Sequence, residues 1–333
     1  MLVDRWIDVH AHFYPPESQK TREQRLVAMH QGCWCTTEAP RWDPDSTLAS
    51  MDRMGVQMQM LSNIPKTLDA LRASNDYAAS LVRRHPSRFG LLAALPTDDP
   101  EAAMAEIDRA DRELHVDGYA VTCRYNDVYL SDPRLEPVWA ELHRRQAVVF
   151  AHPDAYAPGS MGRPAALIEV AFETARTVTD MLYAGIFRRF PDMTLVLAHC
   201  GGALPALSGR LLILGNEAWV ANPNRVTAIE MRQHLRRLYL DTAATMPTTL
   251  GPALAMTTPD HLVYGSDCGV PCTTDATMAS NIEALLSYAG LTSEQIEQIG
   301  HNALRLFPKA AARIEAASKT ETRPEDDTGA FPA

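Results

Sequence analysis

A chain of 333 residues, 46% hydrophobic and 22% charged, has the composition of a soluble globular protein and the length to bury a large core without staples. Its formal net charge of -10 argues against nucleic acid or an anionic membrane as partner, since both need a basic surface, and no apolar run reaches the 18 or more residues of a bilayer span. The six cysteines follow no zinc-finger spacing, Cys33-x-Cys35 and Cys268-x-x-x-Cys272 included. No apolar secretion-signal core precedes the first strand, so free thiols and a cytoplasmic location are the expectation.

Eight short runs rich in apolar, β-branched or aromatic residues recur along the chain. They are LVDRWIDVH ending near His10, GVQMQMLSN (55–63), RFGLLAALP (88–96), VDGYAVTC (116–123), QAVVFAHP (146–153), MTLVLAHCGG (193–202), LYLDTAA (238–244) and HLVYGSD (261–267). Helical segments lie between them. DPDSTLASMDRMG opens on capping residues and closes on Gly55; DPEAAMAEIDRADREL and DPRLEPVWAELHRR each carry proline in the first turn. Eight strands alternating with helices predict an α/β fold, a single-domain (β/α)8 TIM barrel over residues 1–317; an open doubly wound sheet is the competing arrangement. Residues 14–44 have the look of a long loop or lid inserted after the first strand. Residues 318–333, polar and acidic, are expected to be a disordered tail. Methionines 51, 54, 58 and 60 are expected in the core.

Strand residues i and i+2 share a face, so His10 and His12 can share a ligand. The fifth run ends in His152, the sixth in His199 and the eighth in Asp267. Catalytic groups of such a barrel come from the C-terminal ends of several strands. Three histidines and a carboxylate at one mouth suit a divalent metal. The fourth run has no lysine to bridge two metals.

The segments DVHAHF, FAHPD, LAHCGG and YGSD resemble the metal-dependent amidohydrolase superfamily. WDPDSTLASMDRMGVQMQMLS, RFGLLAALP and DPRLEPVWAELHRRQAVVFAHP resemble its decarboxylase branch, which includes the amino-carboxymuconate-semialdehyde, γ-resorcylate and 6-methylsalicylate decarboxylases. The resemblance runs from residue 6 to about 308. It implies that His10, His12, His152 and Asp267 hold one divalent ion, zinc first and manganese second, and that His199 is the catalytic histidine. It also implies non-oxidative decarboxylation of a small aromatic (ortho-hydroxybenzoate-like) or unsaturated carboxylic acid, Asp267 giving the proton to the carbon that loses CO2. The same groups suit a hydrolase of a lactone or amide, or a hydratase, and those readings stay open here. Relatives of this kind commonly form homodimers.

Other residues have weaker claims. Arg124, past the fourth strand, fits either a clamp on a second carboxylate or a surface ion pair. Arg41 and Trp34 lie in the 14–44 segment, where Trp34 could stack on a substrate ring or simply pack. Asn63 ends the second strand and could touch substrate. Asp241 ends the seventh and can orient a ligand histidine or serve the turn. Cys200 and Cys268, each next to a site residue, are expected to face away from the metal.

Overall fold

The computed structural model describes residues 3–321. The eight apolar runs pair in sequence order as parallel strands. They are β1 (Trp6–His12), β2 (Val56–Ser62), β3 (Phe89–Ala94), β4 (Gly118–Thr122), β5 (Val148–His152), β6 (Thr194–Leu197), β7 (Tyr239–Asp241) and β8 (Leu262–Val263). The chain beyond β8 returns to β1. Val9 N donates to Tyr264 O, Asp267 N to His10 O and His12 N to Cys268 O, each at 2.9 Å. That seam draws the sheet into a barrel and rules out the open doubly wound arrangement.

Period-two alternation divides each strand between two cores. Ile7, Val9, Met58, Met60, Leu92, Phe150, Val196 and Val263 pack together inside the barrel. Trp6, Leu61, Leu91, Val121, Val149, Leu195 and Leu240 pack outward against the helices, with Met51 among them and Met54 against their edge. No helix among the described residues is long and apolar enough to cross a membrane.

The 14–44 segment departs from the expected loop. It contains a 13-residue helix, α1 (Gln19–Gln31), capped by Ser18 Oγ accepting from Thr21 N. Met29 is the residue that α1 buries, so the segment carries no apolar stripe from which a helix could be read. Helix α2 (Pro44–Met54) follows, with Asp43 as N-cap and Gly55 at φ +73° ending it. Further along the chain lie α3 (Leu68–Arg84), α4 (Pro100–Arg109), α5 (Glu136–Arg144) and α6 (Glu169–Tyr183). The C-terminal helix (Pro308–Glu321) runs past residue 318, the expected onset of the tail; residues 322–333 lie outside the described residues.

Candidate metal centre

Simple alternation would place Asp8 beside His10 and His12. The structure instead opens a bulge in β1. Asp8 pairs with Gln59 and Ala11 with Leu61, three steps against two. The extra residue reverses the phase of the strand, so Ile7 and Val9 point into the barrel, as do His10 and His12. Asp8 is left on the outer side, fully buried. Its Oδ1 accepts from His10 N and Ser266 N, both at 3.0 Å. Its Oδ2 accepts from Ser266 Oγ at 2.6 Å and Gln59 Nε2 at 3.3 Å. One carboxylate thus holds the backbone of β1 and of the segment leading to Asp267.

Burial pushes the Asp8 carboxyl from its ordinary 3.8 up to about 6, against the hydrogen bonds from Ser266 and His10. The folded state therefore keeps this proton more tightly than the unfolded chain, and stability falls as pH rises from about 4 to about 6. At 1.36 kcal/mol per pH unit the loss is on the order of 3 kcal/mol. Asp8→Asn removes the titration. Urea unfolding of the metal-free proteins at pH 4 and pH 7 should show the variant gaining on the parent by that amount at the higher pH. An unchanged difference would mean that the hydrogen bonds, not burial, govern Asp8.

The histidines converge because their far nitrogens are held. His10 Nδ1 donates to Asp241 Oδ2 at 2.7 Å, while Asp241 Oδ1 accepts from Cys200 N at 3.1 Å and Ala243 N at 3.0 Å. This fixes the proton on Nδ1 and turns Nε2 toward the mouth. His10 Nε2 lies 3.0 Å from His12 Nε2 and 3.1 Å from Asp267 Oδ1. His12 Nε2 lies 3.2 Å from the same oxygen, and His199 Nε2 lies 3.6 Å from Asp267 Oδ2. His152 Nδ1 bonds Pro153 O at 2.6 Å, leaving its Nε2 buried and without a partner, as is His199 Nδ1. One ligand atom from each of His10, His152, His199 and Asp267 lies within 4.8 Å of the others; His12 adjoins this set through His10.

Imidazole nitrogens grouped around a carboxylate oxygen make a donor set suited to a cation. Imidazole and carboxylate donors in this number fit a divalent ion such as zinc or manganese. The electrostatics agree. Burial works to lower the His10 pKa, but Asp267 and Asp241 override it and push it up to about 10. Burial, then His12, His10 and His199, holds His152 well below its ordinary value. Burial alone would raise the Asp267 pKa, yet His10, His12 and His199 hold it well below the usual carboxylate range.

The backbone is bent to aim these groups. His199, Cys200, Gly201 and Gly202 all have positive φ (53°, 55°, 74° and 58°), and Asp267 lies at 58°. Each non-glycine residue held there stores strain of about 1 kcal/mol or more. At Gly202 a Cβ would come within 2.5 Å of Ala171 O, and at Gly265 within 2.9 Å of the Cβ of both His10 and Asp241. Cys200 is buried, and Cys268 Sγ lies 3.8 Å from Asp8 Oδ2 on the outer side.

A cavity of about 800 Å³ opens over the cluster, lined by His12, His152, His199 and Asp267 and also by Trp34 and Asn63. Asn63 Nδ2 donates to Ser74 Oγ at 2.9 Å, so its amide nitrogen is already engaged. Arg124 and Arg41 do not line this cavity; of the two readings left open for Arg124, the structure shows the ion pair. Arg124 sits in a short hairpin (residues 124–129), where Asp127 at 3.0 Å and Glu173 at 3.7 Å hold its guanidinium. Arg41 borders a separate space of about 200 Å³ with Asp8 and Trp42. The sequence reading missed the groups that do border the main cavity: Tyr14 and Tyr156, whose hydroxyls meet at 2.7 Å, Arg25, Lys66, and Cys272, whose Sγ lies 3.8 Å from Asp267 Oδ2. No spacing signal marks them, because separate loops and α1 bring them together.

Comparison with known proteins places the chain in context. The family model described as Amidohydrolase matches residues 7–309. Decarboxylase yanB of Aspergillus niger is 30% identical over 340 residues, covering 92% of this chain and 88% of that protein. The 6-methylsalicylic acid decarboxylase acuB of Aspergillus aculeatus is 30% identical over 332 residues, covering 91% and 96%. A crystal structure of a dihydroxybenzoic acid decarboxylase from a Polaromonas species, with bound manganese and the inhibitor 2-nitroresorcinol, shares the fold with a TM-score of 0.75 at 22% identity, over 92% of this chain and 97% of that one.

Proposed function

The chain belongs to the amidohydrolase family, and on that footing we propose that it is a metal-dependent, non-oxidative decarboxylase of an aromatic acid bearing an ortho hydroxyl. The relatives named above are decarboxylases, which supports a carbon–carbon lyase. The observation that carries the reading is Asp267. Its Oδ1 sits between His10 and His12, while its Oδ2 lies beside His199 at the floor of the cavity.

His10, His12, His152 and Asp267 would hold a divalent ion, zinc being the first choice for this donor set and manganese the ion bound in the Polaromonas structure. When bound, such an ion supplies Lewis-acid neutralisation of the acid's carboxylate and ortho oxygen. Asp267, held ionised by its histidines, takes the proton of the ortho hydroxyl and passes it to the ring carbon that bears the carboxylate. The new C–H bond forms there, the C–C bond to the carboxylate breaks, its electron pair returns to the ring and CO2 leaves. One proton is taken up from solvent per turnover. His199 bonds a substrate oxygen and sets the ring's orientation.

The test is a CO2-release screen of metal-analysed protein across hydroxybenzoates. Release from an ortho-hydroxybenzoate is expected. Hydrolysis of a lactone or amide with no CO2 from any hydroxybenzoate or muconate would make the chain a hydrolase instead.

A further inference from the structure

The cavity is far larger than the reaction needs. About 150 Å³ is enough to hold a benzene ring, whereas this cavity measures about 800 Å³. His12, His152, His199 and Asp267 line one part of it, and Tyr14, Glu17, Arg25, Lys66 and Asp154 also border it. Much of the remaining lining is apolar: Pro15, Ile64, Ala73, Ala166, Val170 and Val270, contributed by the segments following β1, β2, β5 and β8. Apolar walls of this extent are matched by apolar surface on the ligand.

Two cations among the described residues border the cavity, Arg25 and Lys66. Arg25 pairs with Glu17, donates to Pro40 O at 2.7 Å and lies 4.0 Å over the Tyr14 ring. Lys66 Nζ is 3.0 Å from Asp154 Oδ2. Arg124 and Arg41 lie elsewhere, as described. Arg25 Nε and Nη1 are buried without a hydrogen-bond partner.

We infer that the substrate is an aromatic acid whose ring carries an extended apolar substituent, an alkyl chain of several carbons or a second ring, seated in this chamber. The inference rests on the decarboxylase reading and narrows it. It makes the unsubstituted hydroxybenzoate a poor substrate.

The experiment is a homologous series of 6-alkylsalicylates, from methyl to butyl, assayed for CO2 release by the metal-loaded protein. Burial of each added methylene should raise kcat/KM about fourfold, roughly 60-fold from methyl to butyl. In Ala73→Phe, whose ring fills the chamber from α3, the butyl-to-methyl ratio should fall to about one. A flat or falling series with CO2 release intact would overturn the chamber and leave the decarboxylase reading standing. If no member of the series releases CO2, the decarboxylase reading fails, and the chamber is then judged by tryptophan-fluorescence titration with 3-alkylphenols. Affinity that rises with chain length supports it, and affinity that does not overturns it.

Discussion

Replacing Asp267 by asparagine is expected to lower kcat for CO2 release by about 10³-fold, the range lost when a general acid is removed. Asparagine is the informative substitution for three reasons. It has the shape of aspartate. It tolerates the left-handed backbone that φ 58° imposes at this position, whereas alanine would add strain to the loss of chemistry. It also keeps an oxygen that can remain between His10 Nε2 and His12 Nε2, at 3.1 and 3.2 Å in the parent. What it lacks is a carboxylate able to take up and release a proton beside His199. The assay is run at saturating metal, with metal content checked, so that weakened binding of the ion does not stand in for lost proton transfer. Substrate KM should change only severalfold, because Asp267 is assigned to the step and not to holding the ring. A fully metallated Asp267→Asn that kept a tenth or more of parental kcat would remove Asp267 from the proton-transfer role.

The barrel and the gathering of strand-end histidines around Asp267 were legible in the sequence because they depend on local regularities. Alternating strands and helices predict a parallel barrel, and the chemistry of such a barrel lies where its strands end, at His10, His12, His152, His199 and Asp267. What was not legible depends on contacts distant in sequence. The bulge that turns His10 inward is held by Asp8 bonding to Ser266, 258 residues away, and alternation alone would have put Asp8 on the histidine face. Helix α1 buries too little to leave a periodic trace. The direction of the arginines was not legible for a related reason: a loop arginine turns to the nearest carboxylate, so Arg124 was caught by Asp127 and Glu173. Arg25, in the segment expected to be loop, reached the cavity wall unseen. The same physics links the two failures, since a side chain's direction in irregular backbone is set by partners that spacing does not reveal.

Asp241→Asn is expected to weaken metal binding by about 100-fold, the upper part of the range for groups that orient a ligand histidine, while the protein stays folded. The size follows from a constraint that most such substitutions lack. Asp241 Oδ1 accepts from both Cys200 N and Ala243 N, so in the variant the amide oxygen is kept on that side by two backbone donors. The amide nitrogen must then take the place of Oδ2, 2.7 Å from His10 Nδ1. There it meets a nitrogen that in the parent carries the proton. Two donors cannot face each other, so His10 changes tautomer: Nδ1 accepts from the amide and the proton moves to Nε2, toward Asp267 Oδ1 at 3.1 Å. An imidazole nitrogen that carries a proton has no lone pair for a metal. The ligand is thus disabled without being removed and without a cavity being opened. Loss of the buried His10–Asp241 ion pair also takes away one of the two carboxylates that push His10 up to about 10, so the metal-free variant should titrate this histidine at lower pH than the parent. Metal titration and histidine NMR on the same sample separate the two effects. Parental metal affinity in Asp241→Asn would show that His10 Nε2 is not a ligand, and with it would go the assignment of the β1 histidines to one ion.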